Sequence, residues 1–181
     1  MDVDISSARM MRALAHPARL AIMEHLSGGG TGTATECAEI AGLSPSATSY
    51  HLRALEKFGL IEEAPSRGDG RERVWQTKAR GLTIDVLPAS HEEAQAAREL
   101  AGVLIERQDA LTRQWLARLE DEPLPWREEV LFNEANLLVT AEELGALSKL
   151  IMDAVMPYSK RREDRPEGAR QVKLILRAIP T

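Results

Sequence analysis

The stretch AGLSPSATSYHLRALEKF, residues 41–58, constrains this chain more than any other. Gly42, Leu43 and Ser44 make a short turn, and Pro45 then opens a helix, because the N–H that proline lacks would be unpaired in a first turn anyway. Ser44 is the natural N-cap. From Thr48 the inward positions recur as Thr48, Leu52 and Leu55, spaced by four and three, which is one face of a 3.6-period helix. The outward set is Ser46, Ala47, Ser49, Tyr50 and Arg53. These side chains are short or hydrogen-bonding and none is acidic, so the front of the helix can approach a polyanion closely. An ordinary solvated face would mix Glu with Lys.

A helix of this kind after such a turn reads as the second helix of a helix-turn-helix, the element that enters a DNA major groove. The formal net charge of -5 runs against that until the chain is divided. Residues 1–80 carry ten Lys/Arg and ten Asp/Glu, and residues 81–181 carry thirteen and eighteen, so the acidity sits in the second half. From Arg53 to Arg80 the basic residues Arg53, Lys57, Arg67, Arg71, Arg73, Lys78 and Arg80 stand against Glu56, Glu62, Glu63, Asp69 and Glu72, a modest excess that supports the helix argument for phosphate contact without replacing it. There is no 18-residue apolar run and no basic-then-apolar leader, so a cytoplasmic protein without a membrane partner is expected. Cys37 is the only cysteine, which excludes an internal disulfide and argues against a thiolate metal cage; no metal and no cofactor are expected.

Taken in order, residues 1–5 read as a frayed end and Ser6–Ala15 as a first helix. His16-Pro17 restarts the chain as PARLAIMEHL, with Leu20, Ile22, Met23 and Leu26 on its buried side. GGGTG, residues 28–32, reads as a flexible connection, since a phosphate loop would need a following Gly-Lys-Ser/Thr. Thr33 and Glu36 have capping-box spacing and start a third helix that runs to Ala41 and stops at Gly42. Cys37 on that helix is either a small buried hydrophobe or a thiol slightly acidified by the first turn. Beyond the recognition helix, 45–58, Leu60 and Ile61 start one extended run and Val74 and Trp75 end another, with Asp69-Gly70 as the turn between them. This makes residues 62–75 a wing with Arg67, Arg71 and Arg73 at or beside its tip, placed for phosphate or minor-groove contact.

Residues from about Met10 to Gln76 resemble the ArsR-type winged helix-turn-helix transcription regulators of bacteria. The segments that carry the resemblance are RALAHPARLAIMEHL, TECAEIAGLSPSATSYHLRALEKFGLIEE and the hairpin ending RVWQ. The resemblance implies a homodimer whose two recognition helices read the half-sites of an inverted repeat in double-stranded DNA. It carries contact roles onto Ser44, Ser46, Ala47, Ser49 and Tyr50 and onto the hairpin arginines. The chain departs from the founding metal sensors of that family: Cys37 stands alone on the helix where they carry thiolate pairs. His91, Glu92 and Glu93 are adjacent, so they point different ways around a helix instead of converging on an ion.

In the second half a long helix opens at Ser90, again with capping-box spacing to Glu93. Ala94, Ala97, Ala101, Leu104, Gln108, Leu111 and Trp115 recur every three and four residues, a heptad seam suited to pairing with another helix. The partner is either a second copy, with Gln108 setting register, or the first helix of the same chain. Pro123 and Pro125 should end that helix near Trp126. EEVLFNEANLLVT then looks extended, Thr140 and Glu143 cap a helix with Leu144, Leu147, Ile151 and Val155 inward, Pro157 should end or kink it, and RQVKLILRAIP alternates as a strand does. The expected fold is therefore α+β, mainly α: a winged helix-turn-helix over 1–82, a dimerisation helix over 88–122, and a small βαβ-like unit over 123–181. This half also resembles the C-terminal region of a group of actinobacterial ArsR-like regulators, which implies no activity.

Trp115, Trp126, Phe132 and Tyr158 occur where the long helix meets the βαβ unit, so they are candidates for lining a pocket for a small-molecule effector, or else core anchors. None of His16, His25, His51 and His91 lies in a catalytic motif, so no catalytic residue and no enzymatic activity are expected. The alternative to a DNA-binding regulator is a winged-helix protein-protein interaction module that keeps the fold without using DNA.

Overall fold

A computed structural model of the 181-residue chain describes residues 3–5, 7–27, 30–66, 72–78, 82–84, 89–159 and 166–180. The elements are β1 (Val3–Ile5), α1 (Ala8–Leu14), α2 (Pro17–Leu26), β2 (Thr31–Thr33), α3 (Ala34–Ala41), α4 (Pro45–Lys57), β3 (Ile61–Ala64), β4 (Val74–Thr77), β5 (Leu82–Ile84), α5 (His91–Leu116), α6 (Leu124–Glu128) and α7 (Ala141–Ser159). The chain is mainly helical, with a three-stranded sheet in the order β2-β4-β3 and a parallel pair of β1 with β5. It divides into two compact units, residues 1–107 with 161–181, and residues 108–160.

In the first unit the helices begin where side chains can hold their free N–H groups. The Ser7 hydroxyl accepts from Met10 N–H at 3.3 Å, and His16 Nδ1 accepts from Ala18 N–H at 3.2 Å. At α3 the capping box closes both ways, Glu36 N–H to Thr33 Oγ1 at 3.2 Å and Thr33 N–H to Glu36 Oε2 at 2.7 Å. That helix stops at Gly42, whose φ of 65° is left-handed, a conformation that costs a residue with a Cβ about 1–2 kcal/mol. One core unites the elements: Met11 and Leu14 of α1, Leu20, Ile22 and Leu26 of α2, Cys37 of α3, Leu52 and Leu55 of α4, Ile61 of β3, Trp75 of β4, and Ala96, Ala97 and Leu100 of α5.

Several expectations are corrected here. Residues 3–5, expected within a frayed end, form β1 instead, pairing Val3 with Leu82 and Ile5 with Ile84. Thr31–Thr33 is a strand, not a flexible connection: it pairs with β4, Gly32 opposite Trp75. A Cβ on Gly32 would stand 3.1 Å from His25 Nε2 and 3.2 Å from Leu26 Cδ2, so a side chain there would press on α2 and those neighbours would have to give by a few tenths of an ångström. Val74 and Trp75 begin β4 where they were expected to end a strand. Ala64 pairs with Val74 and Ile61 with Thr77, which makes the wing connection longer than a two-residue hairpin turn. The turn expected at Asp69-Gly70 lies outside the described residues.

In the second unit α7 forms as its cap dictates, with Thr140 N–H bound to Glu143 Oε2 at 2.7 Å and Glu143 N–H to Thr140 Oγ1 at 3.2 Å. Pro157 sits in its last turn and the helix stops at Ser159. The two prolines expected to end the long helix instead open α6, because a proline suits a first turn better than it marks a last one. The flanking strands of the expected βαβ unit do not form: residues 130–139 and 169–180 have neither helical nor paired-strand structure. Alternating apolar residues satisfy only half of what a strand needs, the other half being a neighbour for its N–H and C=O groups. Among the described residues, no helix is long and apolar enough to cross a membrane.

Candidate nucleic-acid interface

Helix α4 is anchored at its start by Ser44, whose Oγ accepts from Ala47 N–H at 3.3 Å. Thr48 Oγ1 donates to Ser44 O at 3.0 Å and Ser49 Oγ to Pro45 O at 2.9 Å, so two hydroxyls of the first turns are satisfied within the helix. Its rear face is closed, with Thr48, Leu52 and Leu55 at most 1% exposed. Its front is open: Ser44, Ser46, Tyr50 and Arg53 are exposed and Ala47 and Ser49 half-buried, Tyr50 at 65%. The outward ridge expected from the spacing is therefore at least partly at the surface, where it presents the Ser46 hydroxyl, the Ala47 methyl and the Tyr50 phenol, groups of the kind that meet base edges and phosphates.

Behind this ridge lies a histidine pair that the spacing did not reveal. His51, 8% exposed on α4, has its ring 4.5 Å from that of His16, at the start of α2. Arg19 Nε donates to His51 Nδ1 at 3.4 Å while its NH1 donates to Ala13 O at 2.5 Å. Burial first, and then the neighbouring His16 and Arg19, push the His51 pKa below its ordinary value. His51 thus accepts at Nδ1 from Arg19 and latches α4 to the α1–α2 turn. The sequence signal was available in His16-Pro17 preceding Arg19, but only the fold brings these residues to position 51.

The wing arginines separate. Arg67 and Arg71 lie outside the described residues. Arg73 sits just before β4, half-exposed, with Nε donating to Glu63 Oε2 and NH2 to Glu56 Oε1, both at 2.9 Å. Its guanidinium stacks 4.3 Å from the centre of the Trp75 ring. The hydrogen bond to Glu63, with weaker help from Glu56, raises its pKa further. Arg73 therefore braces the base of the wing against α4, and a phosphate would have to compete with two carboxylates for it. Ser49, Leu52, Arg53, Arg73 and Trp75 line a shallow groove between helix and wing.

The other candidates fall in known places. Cys37 is fully buried with its pKa raised to about 11, by burial first and then by Glu36, so the helix start does not activate it. Glu92 pairs with Arg12 at 2.6 Å and Glu93 accepts from Ala89 N–H at 2.8 Å, so both are occupied in fold contacts. Of the seam residues, Ala97 is buried in the core of its own chain and Leu104 packs beside it. Ala94, Ala101, Gln108, Leu111 and Trp115 are half-buried. Trp126 is half-buried, whereas Phe132 and Tyr158 are 80% and 67% exposed.

Residues 14–64, from the end of α1 to the end of β3, match a family described as a helix-turn-helix domain. The chain thus carries a helix-turn-helix domain in the segment where α2, α3 and α4 pack together. The HTH-type transcriptional regulator YgaV of Escherichia coli (strain K12) is 45% identical over 56 residues, which are 31% of this chain and 57% of that protein. The chain thus spans little more than half the length of the curated relative it matches. Among solved structures, reduced HlyU from Vibrio cholerae N16961 is similar at 22% identity and a TM-score of 0.34, over 51% of this chain and 81% of that one. The heme sensor protein PefR from Streptococcus agalactiae, in complex with heme, is similar at 20% identity and a TM-score of 0.33, over 86% and 82%.

Proposed function

We propose that this protein is a sequence-specific regulator of transcription, of the ArsR type, that binds double-stranded DNA as a homodimer on an inverted repeat. The observation that carries this is the two-sidedness of α4: a rear face sealed into the core and a front that, from Ser46 to Arg53, holds short polar side chains, one phenol, one guanidinium and no carboxylate. On insertion into a major groove, Ser46, Ser49 and Tyr50 would face base edges and the Ala47 methyl group a thymine methyl. Ser44 and Arg53 would bind phosphates on either side. Arg67 and Arg71 would extend the contact from the wing, with Arg73 setting the angle of the wing to α4.

The homodimer would form along α5. At 100° per residue the inward stripe Ala96, Leu100, Val103 and Arg107 and the stripe Ala101, Gln108, Leu111 and Trp115 lie about a quarter-turn apart, with Ala97 and Leu104 shared between them. One stripe holds the helix to its own domain, with Arg107 ion-paired to Glu24 at 2.8 Å, and the other is left for a second helix. An effector that acted through Trp115, Trp126, Phe132 and Tyr158 would have to favour one of two dimer arrangements, since equal affinity for both changes nothing.

Selection of genomic fragments by the protein, followed by retardation at increasing salt, tests the proposal. A retained inverted repeat should lose affinity steeply, with a log–log slope of about -0.9 per phosphate contact. Retention of no fragment, or binding indifferent to salt, would leave the fold to a protein-protein role.

A further inference from the structure

The Nε and NH2 donors of Arg73 form the edge of the guanidinium that grips a carboxylate or a phosphate side-on. Each is taken by a different carboxylate, Nε by Glu63 of β3 and NH2 by Glu56 of α4, both at 2.9 Å. One face of the group is covered as well, 4.3 Å from the centre of the Trp75 ring. The three charged side chains are 39–53% exposed, so their pairing adds little to stability, yet it uses up the cation. One positive charge against two negative ones leaves the cluster net negative. It lies at the groove that Arg73 and Trp75 share with Ser49 and Arg53 of the α4 front, where a phosphate bound alongside would meet repulsion instead of a free guanidinium.

We propose that Glu56 and Glu63 set how tightly the protein holds DNA of any sequence: they occupy the positions on Arg73 that phosphate oxygens would take, and so withhold one cation from the duplex backbone. This rests on the DNA-binding function proposed above and adds two residues to it. Binding to random sequence is almost entirely phosphate contact, so a guanidinium held back lowers it directly. The contacts that α4 makes to base edges do not pass through Arg73, so the share of the binding energy that depends on sequence rises. A clamp that served only to hold the wing would not need the charges, because Glu56→Gln and Glu63→Gln each keep an acceptor in the same place and lose only the charge. Removing the arginine does the opposite of freeing the site: Arg73→Ala leaves two carboxylates without their cation.

Fluorescence anisotropy of the full-length protein with a random-sequence duplex, over a range of salt concentrations, tests this. The double variant Glu56→Gln with Glu63→Gln should bind about three- to tenfold more tightly at low salt, and its log–log salt slope should steepen by about one, the share of a single added phosphate contact. Adding Arg73→Ala to that pair should return the slope to the parent's. Glu72→Gln, which neutralises an exposed carboxylate on the same groove and leaves the clamp on Arg73 in place, should not change the slope. Melting temperatures should barely move, because the pairs are half-exposed. A double variant with the parent's slope overturns the proposal. So does a steeper slope that survives Arg73→Ala or that Glu72→Gln reproduces, since the gain is then one of overall charge. A double variant that binds more weakly overturns it too, because the carboxylates then only hold the wing. Salt-dependent binding by the parent leaves the DNA-binding function standing in each of those cases, whereas no binding by the parent or any variant at low salt removes that function and this proposal together.

Discussion

Helices α4 and α7 start alike and finish differently. Both are amphipathic, both open on a hydroxyl cap, and both present an inward line at spacings of three and four. Helix α4 is met by α1, α2, α3 and β3, and its inward Thr48, Leu52 and Leu55 are sealed. The inward line of α7, Leu144, Leu147, Ile151 and Val155, is only half-buried, and among the described residues from 108 to 159 none is buried. Caps and periodicity are enough to make a helix, while the depth of its burial depends on how many other elements converge on it. Helix α4 has that support from its own chain, and α7 does not.

The comparison can be broken most directly in the core. Leu55→Ala should cost about 2–5 kcal/mol by urea unfolding, the range for large-to-small changes at sealed sites. Ile151→Ala, at a half-exposed site, should cost under about 1.5 kcal/mol at low protein concentration. Equal losses for the two would mean that α7 has a core of its own. Ser44→Ala, which removes the cap of α4, should cost about 1 kcal/mol and weaken DNA binding along with it; a stability loss without a binding loss would detach the cap from the interface.

Acidification from neutrality should act first through His51. Because the folded-state pKa of His51 lies below its ordinary 6.5, the unfolded chain takes up the proton first. Stability should hold above pH 6.5, fall as the pH drops from there towards the depressed value, and level off below it. His51→Gln should flatten that fall in thermal melts, and an unchanged pH profile would assign the acid sensitivity elsewhere. The smallest effect expected is that of Arg73→Ala: its ion pairs are half-exposed, so the stability loss should stay within about 1 kcal/mol. Binding should weaken across all sequences, and a loss confined to one operator would mean that the wing reads bases.

How much was legible follows the same division. Gly42, Ser44, Pro45 and the Thr33–Glu36 box act within a few residues, so α3 and α4 could be bounded from the sequence alone. Strand β2 could not, because Thr31–Thr33 becomes a strand only through β4, more than forty residues on, and its glycines looked like slack. The alternation of Val172, Leu174 and Leu176 shows which side chains seek cover but does not name their neighbour. On the interface, the ridge residues could be named from spacing, whereas the bracing of Arg73 by Glu56 and Glu63 and the stacking of His51 on His16 join residues that only the fold brings together.

The claim on which the rest depends is that the front of α4 reads DNA. Fluorescence anisotropy with an operator fragment isolated by selection, comparing the parent with a Tyr50→Glu variant of unchanged melting temperature and dimer mass, tests it most directly. The account predicts that operator affinity falls to the level of random DNA, because a carboxylate then meets the groove at its centre. Operator affinity equal to that of the parent would contradict it.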